Sequence, residues 1–169
     1  MPWDEFSRDL GVDGVVRPDR VGVFMASEAR GVPPMLQHQA ERVGAVPAVA
    51  FLLTVRFEHV PLVPAAQRLA EVTDLGQGFH RVVASYGFMQ QPNVPELIGE
   101  VMARLQIHRL LEEVTYFLGR ESFVGGKGGR MGVVSESAFR TLARNAMTAT
   151  AYFQLPTEQV VEIGVQIDL

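Results

Sequence analysis

Apolar and polar residues alternate along the chain in a way that predicts strands and helices in turn. Val21–Met25 and residues 48–55 are short, almost continuous apolar runs, typical of strands covered on both faces in a parallel sheet. Between them, Pro33 and Pro34 suit the first turn of a helix. The apolar face of this helix, at steps of three and four, comprises Leu36, Ala40 and Val43. Together these elements predict a strand–helix–strand unit with a right-handed crossover.

The next part of the chain predicts a hairpin, a helix and a further strand. Residues 69–75 and 79–86 are strand-like runs joined by the short segment 76–78, with the sequence Gly-Gln-Gly, which predicts an antiparallel hairpin. Asn93, followed three residues later by Glu96, predicts the start of a helix with an apolar stripe that reaches Leu105. Residues 114–118 predict another strand.

The two ends of the chain complete the expected fold. Trp3, Phe6 and Leu10 have helical spacing, and glycines and Pro18 follow them. Apolar steps of three and four from Ser135 to residue 153 predict a long helix, and residues 161–167 alternate like a strand with one wet face. We expect an N-terminal helix and linker over residues 1–19 and a single α/β domain over 20–169. Its sheet should be mixed and mostly parallel, with about five or six strands, an antiparallel hairpin and three to four flanking helices.

Composition narrows the class of protein. Of the 169 residues, 47% are apolar and 20% are charged, which is the balance of a packed globular domain. No apolar run approaches the ~20 residues that a membrane-spanning helix needs, and the N-terminus lacks the pattern of a secretory signal. The net charge of -4 and the scattered basic residues argue against nucleic-acid binding. The absence of cysteine excludes disulfides and thiolate metal sites.

Residue patterns for catalysis or metal binding are missing. The four histidines never fall at HxxH, HxxxH or HExxH spacing, so the sequence predicts no metal site. Ser85 lies inside a predicted strand and not in a GxSxG turn. Glu112 and Glu113 are adjacent at the start of a predicted strand, where their side chains point to opposite faces. We therefore expect a protein without enzymatic activity and without a cofactor.

A few basic residues could bind an anionic ligand. Lys127 and Arg130 belong to the loop GGKGGR, which can present backbone amides and two cations to a phosphate or can serve only as a flexible connector. Arg140 and Arg144 lie one helical turn apart and could clamp an anion, or they could be solvated surface residues. His38, on the first of these predicted helices, is the remaining candidate, and its alternative is a partly buried capping histidine or a surface histidine.

Five sequence strings, in order and spacing, resemble the C-terminal cytosolic region of the Kup/HAK/KT family of bacterial potassium-uptake transporters. They are VGVFMASEARGVPPMLQH, FLLTVRFEHVPLV, GFHRVVASYGFMQQPNVP, TYFLGRE and ARNAMTATAYFQLPTEQVVEIGVQIDL. The resemblance runs from about Arg20 to Leu169. It implies a transporter of potassium, coupled to protons, whose transmembrane part would precede Met1. This chain would then be soluble, would lie on the cytoplasmic side of the membrane, and would not move ions by itself.

The resemblance leaves two hypotheses for the role of the chain. The first is a regulatory or dimerisation domain that forms a homodimer and couples to the transmembrane part of the same polypeptide. The second is a sensor of a small ligand, either an adenine nucleotide or cyclic di-AMP, to which the cytosolic region of some related bacterial proteins binds.

Overall fold

The computed structural model describes residues 1–12, 14–119 and 148–164 of the chain. Their helices are α1 (Trp3–Val12), α2 (Pro34–His38), α3 (Ala65–Arg68), α4 (Val94–Arg104) and α5 (Ala149–Tyr152). Their strands are β1 (Val21–Met25), β2 (Val49–Glu58), β3 (Leu69–Gly76), β4 (Phe79–Gly87), β5 (Val114–Gly119) and β6 (Val160–Ile163). A π-helical turn, Gln39–Val43, extends α2, and 3₁₀ turns at Leu111–Glu113 and Thr157–Gln159 precede β5 and β6.

The described strands form one six-stranded sheet in the order β3-β4-β2-β1-β5-β6. All neighbouring pairs are parallel except β3 and β4, which form the predicted antiparallel hairpin. The fold class predicted from the sequence, a mixed and mostly parallel α/β sheet, is confirmed. The described residues include five α-helices, two of which have only four residues, where three to four helices were expected.

One face of the sheet is covered by α4 and by the segment that follows α5. Asn93 begins α4 as predicted, because its side chain accepts a hydrogen bond from the backbone amide of Glu96 at 3.1 Å. The apolar residues of α4 pack against every second residue of the neighbouring strands, and these strand residues point to the same side of the sheet. The largest fully buried members of this core are Phe51, Leu53, Leu97, Ile98, Tyr116 and Phe153.

The other face is covered by α1 and α2. Phe6 and Leu10 of α1 and Leu36 of α2 are buried against strand residues that alternate with those of the first core. Within this second core, the rings of Phe24 and Phe117 stack with centroids 4.5 Å apart. The chain is therefore a three-layer α/β structure with apolar residues on both faces of its central strands.

Arg17 links the segment that follows α1 to the residues that precede β2 and β4 through hydrogen bonds. Its Nη2 atom donates to the carbonyl oxygens of Pro47, Ala48 and Gln77 at 2.9, 3.0 and 2.9 Å, and its Nε atom donates to those of Val46 and Pro47 at 3.1 and 3.2 Å. The guanidinium also lies 4.5 Å from the ring centroid of Phe79. Because these groups partly bury the cation, desolvation lowers the pKa of Arg17. The expected division into residues 1–19 and 20–169 stays a prediction.

Several local predictions are wrong. Val43 is 60% exposed, because the π-helical turn shifts it off the face that buries Leu36 and Ala40. Glu112 and Glu113 lie in a 3₁₀ turn before β5 and not in the strand. The prediction of one continuous helix through to residue 153 is also wrong, because Thr148 has an extended backbone and caps α5. The earlier part of that predicted helix, residues 135–147, lies outside the described residues.

Candidate functional site

The order of the strands creates a switch point between β1 and β5. From β1 the chain passes through α2 to β2 on one side, and from β4 it passes through α4 to β5 on the other side of β1. The two connections lie on opposite faces of the sheet, because α2 belongs to one core and α4 to the other. In open α/β sheets, such a point leaves a crevice outside the carboxyl ends of the strands, and ligands bind there.

A cavity of about 630 Å³ lies at this switch point. Its wall includes Met25, Gly119 and Ile163, which are the last residues of β1, β5 and β6. The loop from β1 to α2 supplies most of the remaining wall, and Met1 and Pro2 close one side. Its volume falls within the range of sites that hold small organic ligands.

The wall of this switch-point cavity is apolar with few polar groups. Met25, Val32 and Met35 are buried, and Ser27, Glu28 and Arg30 supply the polar side chains. Arg30 and Glu28 are exposed, so their charges remain in contact with water. Such a wall can hold an apolar or aromatic group and can orient it through a small number of polar contacts.

The start of α2 offers little to a phosphate group. In many nucleotide-binding α/β proteins, backbone amides at the start of a helix bind the phosphate. Here Pro33 caps the helix and Pro34 is its first residue, and proline has no backbone N–H. With only five residues, α2 also has a small dipole. Among the described residues that line the cavity, Arg30 is the only one with a basic side chain.

A second, polar cavity of about 340 Å³ lies beside α4. Three amides in its wall already join segments of the chain: Gln90 binds the backbone of Val63, Gln91 that of Tyr152, and Gln154 that of Pro92. Arg68 lies with its guanidinium carbon 5.1 Å from the ring centroid of Tyr86. Burial raises the pKa of Tyr86 to about 12, so its hydroxyl remains protonated at neutral pH. The amides of this cavity thus serve the fold.

Of the five predicted ligand-binding residues, the structure describes only His38. Lys127, Arg130, Arg140 and Arg144 lie outside the described residues. His38 ends α2, is half-buried, and does not line the switch-point cavity. Binding of a ligand by these residues stays a prediction.

Buried titratable groups occur elsewhere in the sheet. His80 of β4 pairs with Asp74 of β3, and its Nδ1 atom is buried without a hydrogen-bond partner. Burial lowers the pKa of His80, and the nearby charge of Asp74 opposes this shift. The hydroxyl of Tyr116 is also buried without a partner, and desolvation raises its pKa to about 12. Nowhere in the described part of the chain do three His, Asp or Glu side chains come together in a way that could hold a metal ion.

Sequence patterns did not single out the wall of the switch-point cavity. Met25, Val32 and Met35 have the spacing and character of ordinary core residues. The available signal was the change, directly after the buried strand β1, to the small and polar residues Ala26, Ser27 and Glu28. That change marks a crevice only when β5 is known to lie beside β1.

Comparison with known proteins identifies the class to which this fold belongs. Residues 19–169 match the family model described as "K+ potassium transporter C-terminal domain". The chain belongs to this family, and the resemblance to the Kup/HAK/KT transporters is confirmed. No solved structure matches the chain. Among residues 1–12, 14–119 and 148–164, no helix is both long enough and apolar enough to cross a bilayer.

Individual relatives of the chain are named as potassium transport system proteins. The chain is 41% identical, over 98% of its length, to the "Probable potassium transport system protein Kup 1" of Syntrophobacter fumaroxidans, of which it covers 25%. It is 40% identical over 91% of its length to the "Probable potassium transport system protein Kup" of Myxococcus xanthus, and 36% identical over its full length to that of Anaeromyxobacter dehalogenans strain 2CP-C. It covers 23% and 26% of these two relatives. The chain thus spans about a quarter of the relatives that it matches.

Proposed function

We propose that this chain is a regulatory and dimerisation domain of a proton-coupled potassium-uptake transporter, and that it does not move ions by itself. It would lie on the cytoplasmic side of the membrane and act on the transmembrane part of the same polypeptide. The observation that carries this proposal is the family match over residues 19–169, together with the names of relatives that are about four times as long.

The fold suits a domain that transmits binding or movement. Both faces of its central strands are packed, so a shift of α1 or α2 reaches the sheet directly. Packed side chains and rigid elements of this kind can carry coupling between two sites when both sites bias their arrangement.

Uptake measurements test the regulatory role. The Syntrophobacter fumaroxidans relative would be expressed in a bacterium that lacks its own potassium uptake, either complete or without the quarter that this chain matches. We expect the truncated transporter to differ from the complete one in its rubidium uptake rate or in its dependence on external pH. Identical uptake by the two proteins, or uptake supported by the present chain alone, would refute the proposal.

Light scattering tests dimerisation. One chain has a mass of 18.6 kDa, and we expect particles of twice this mass at high protein concentration. A strictly monomeric chain at several hundred micromolar would count against dimerisation and would leave the uptake test unaffected.

The switch-point cavity favours a second candidate, a sensor of a small ligand such as an adenine nucleotide or cyclic di-AMP. Its volume suits a ligand of that size, and its apolar wall suits the base more than the phosphate, because α2 begins with prolines. Calorimetric titration with cyclic di-AMP and AMP tests this candidate. Ala26→Trp, which fills the cavity, should abolish the heat of binding, and the exposed Ala103→Trp on α4 serves as control. No heat from the unmodified chain at high micromolar ligand would remove this candidate.

A further inference from the structure

Two neighbouring loops expose a contiguous apolar surface. The first follows β2 and contributes Val60, Pro61 and Leu62, and the second follows β4 and contributes Phe88 and Met89. We call these five residues the apolar tip. Val60, Leu62, Phe88 and Met89 are 46%, 64%, 57% and 73% exposed. Their combined exposed surface is on the order of 400 Å², and patches of this size on monomers are often functional.

Backbone hydrogen bonds hold the two loops of the apolar tip together. The amide of Phe88 donates to the carbonyl oxygen of Val60 at 2.9 Å, and the amide of Met89 donates to that of Pro61 at 3.1 Å. The loops can come this close because residue 87 is glycine. A Cβ atom there would lie 2.2 Å from the carbonyl oxygen of Pro61.

The side chain of Gln90 adds a second set of bonds beneath the apolar tip. Its Oε1 atom accepts from the amides of Val63 and Gly87 at 2.9 and 2.7 Å, and its Nε2 atom donates to the carbonyl oxygen of Val63 at 3.2 Å. Hydrogen bonds thus hold in place the backbone that carries the apolar side chains of the tip. A preorganised apolar surface loses little conformational entropy when a partner covers it.

The position of the apolar tip indicates which partner covers it. The tip follows the carboxyl ends of β2 and β4, and Met1 lines the cavity at the carboxyl ends of β1, β5 and β6. These strands are parallel, so Met1 and the tip both lie toward their carboxyl ends, and β2 and β4 carry the tip beyond Leu53, the partner of Met25 in β1. In the relatives, about three quarters of the polypeptide lies outside the matched region, and the matched family is a C-terminal domain. The preceding part of a transporter would therefore approach the edge that carries the tip.

Two other occupants fit less well. A stable homodimer buries about 800 Å² on each partner, roughly twice the exposed surface of the apolar tip. An anionic lipid surface attracts basic proteins, whereas this chain has a net charge of -4. A contact within one polypeptide needs less area, because the linkage gives the two surfaces a high effective concentration.

We propose that the apolar tip docks on an apolar surface of the transporter part that precedes this domain in the same polypeptide. This inference rests on the proposed function, since it requires the chain to be the tail of a transporter. Docking would hold the carboxyl edge of the sheet, and with it the switch-point cavity, against the part that moves the ion.

Thiol labelling tests the docking, because the chain has no cysteine of its own. Met89→Cys and Leu62→Cys each place a single thiol in one loop of the apolar tip. Val12→Cys is the matched control, because Val12 is 80% exposed and lies away from the apolar tip. It ends α1, and Val16, four residues later, pairs with Ala45 just before the start of β2. Each variant would be labelled with a maleimide as the isolated chain and as a fusion to the preceding part of the Syntrophobacter fumaroxidans relative, otherwise free of cysteine, in the same detergent.

We expect the thiols of Met89→Cys and Leu62→Cys to react at least about tenfold more slowly in the fusion than in the isolated chain, because a covered thiol reacts only when the contact opens. The thiol of Val12→Cys should react at the same rate in both. Equal rates for the tip variants in the two proteins, or equal slowing of the Val12→Cys thiol, would overturn the proposal. Circular dichroism of each isolated variant verifies its fold.

Further measurements distinguish docking on the transporter from contact with a lipid surface or a second copy. They also distinguish failure of the docking from failure of the proposed function. Slow labelling of isolated Met89→Cys in the presence of vesicles of phosphatidylethanolamine and phosphatidylglycerol would assign the apolar tip to a lipid surface. Slowing that grows with the concentration of the isolated chain would assign it to a second copy, and either result overturns the proposal. Rubidium uptake by the fusion is measured separately. A fusion that transports while its tip thiols react freely would refute the docking alone.

Discussion

Replacement of Arg17 by methionine gives the sharpest test of how the N-terminal segment is held. Arg17→Met keeps most of the apolar stem and removes the donors to the carbonyl oxygens of Val46, Pro47, Ala48 and Gln77. These oxygens belong to two segments that are distant in sequence, the residues just before β2 and the hairpin turn. The variant therefore loses a connection between segments and not only a local bond.

The expected loss in the free energy of unfolding follows from these hydrogen bonds. A hydrogen bond to a charged group contributes about 1.5–3 kcal/mol when it is well buried, but Arg17 is only half-buried, so water replaces part of the loss. We expect the free energy of unfolding to fall by about 2–3 kcal/mol in total. For a chain of this size, that corresponds to a decrease in Tm of about 5–10 °C. Arg17→Lys should recover less than half of the loss, because one ammonium group cannot reach all of the carbonyls.

Urea unfolding followed by circular dichroism measures the effect. Arg20→Met is the matched control, since Arg20 is exposed three residues further along, and we expect it to lie within about 0.5 kcal/mol of the unmodified chain. An Arg17→Met variant as stable as Arg20→Met would refute the reasoning, as would full recovery by Arg17→Lys.

Three further predictions concern single positions in the hairpin turn, at the start of α4 and in β4. Gly78→Ala should lose at least about 2 kcal/mol in urea unfolding, because residue 78 has a φ of 82° and a Cβ atom there would lie 2.0 Å from the carbonyl oxygen of Ala48. A loss below about 0.5 kcal/mol would contradict that geometry. Asn93→Ala should lose about 1 kcal/mol and some helical signal, and Asn93→Ser should restore most of it, because serine can also cap a helix. Burial lowers the pKa of His80 and favours its neutral form in the folded chain, so this stabilisation is present above the unfolded pKa of about 6.5 and is lost as pH falls through the lowered pKa. Stability should therefore fall more steeply from pH 7 to pH 5 in the unmodified chain than in His80→Gln, and equal slopes would argue against a role for His80.

The sequence allowed those parts of the fold to be predicted whose signals are local. The β3–β4 turn follows from Gly76 and Gly78, which both adopt positive φ, and the start of α4 follows from the Asn93 cap. The burial of all five residues of Val21–Met25 follows from their continuous apolar character. Each of these features depends on residues within a few positions of one another.

Features that depend on distant segments could not be predicted in this way. Periodicity gave β1 and β5 as strands but did not indicate that Val21 pairs with Val114. Without that pairing there is no switch point, and Met25 and Met35 cannot be distinguished from ordinary core residues. Val43 was placed on the wrong face because nothing in the local spacing indicates a π-helical turn.

The central position of β1 has a consequence for synthesis of the chain on the ribosome. One side of β1 pairs with β2, which is made soon afterwards, whereas the other side pairs with β5, about ninety residues later. Throughout that interval the nascent chain carries a strand of five apolar residues with one edge unpaired. Such edges recruit other strands, so the unpaired edge of β1 gives an incompletely synthesised chain a site for aggregation.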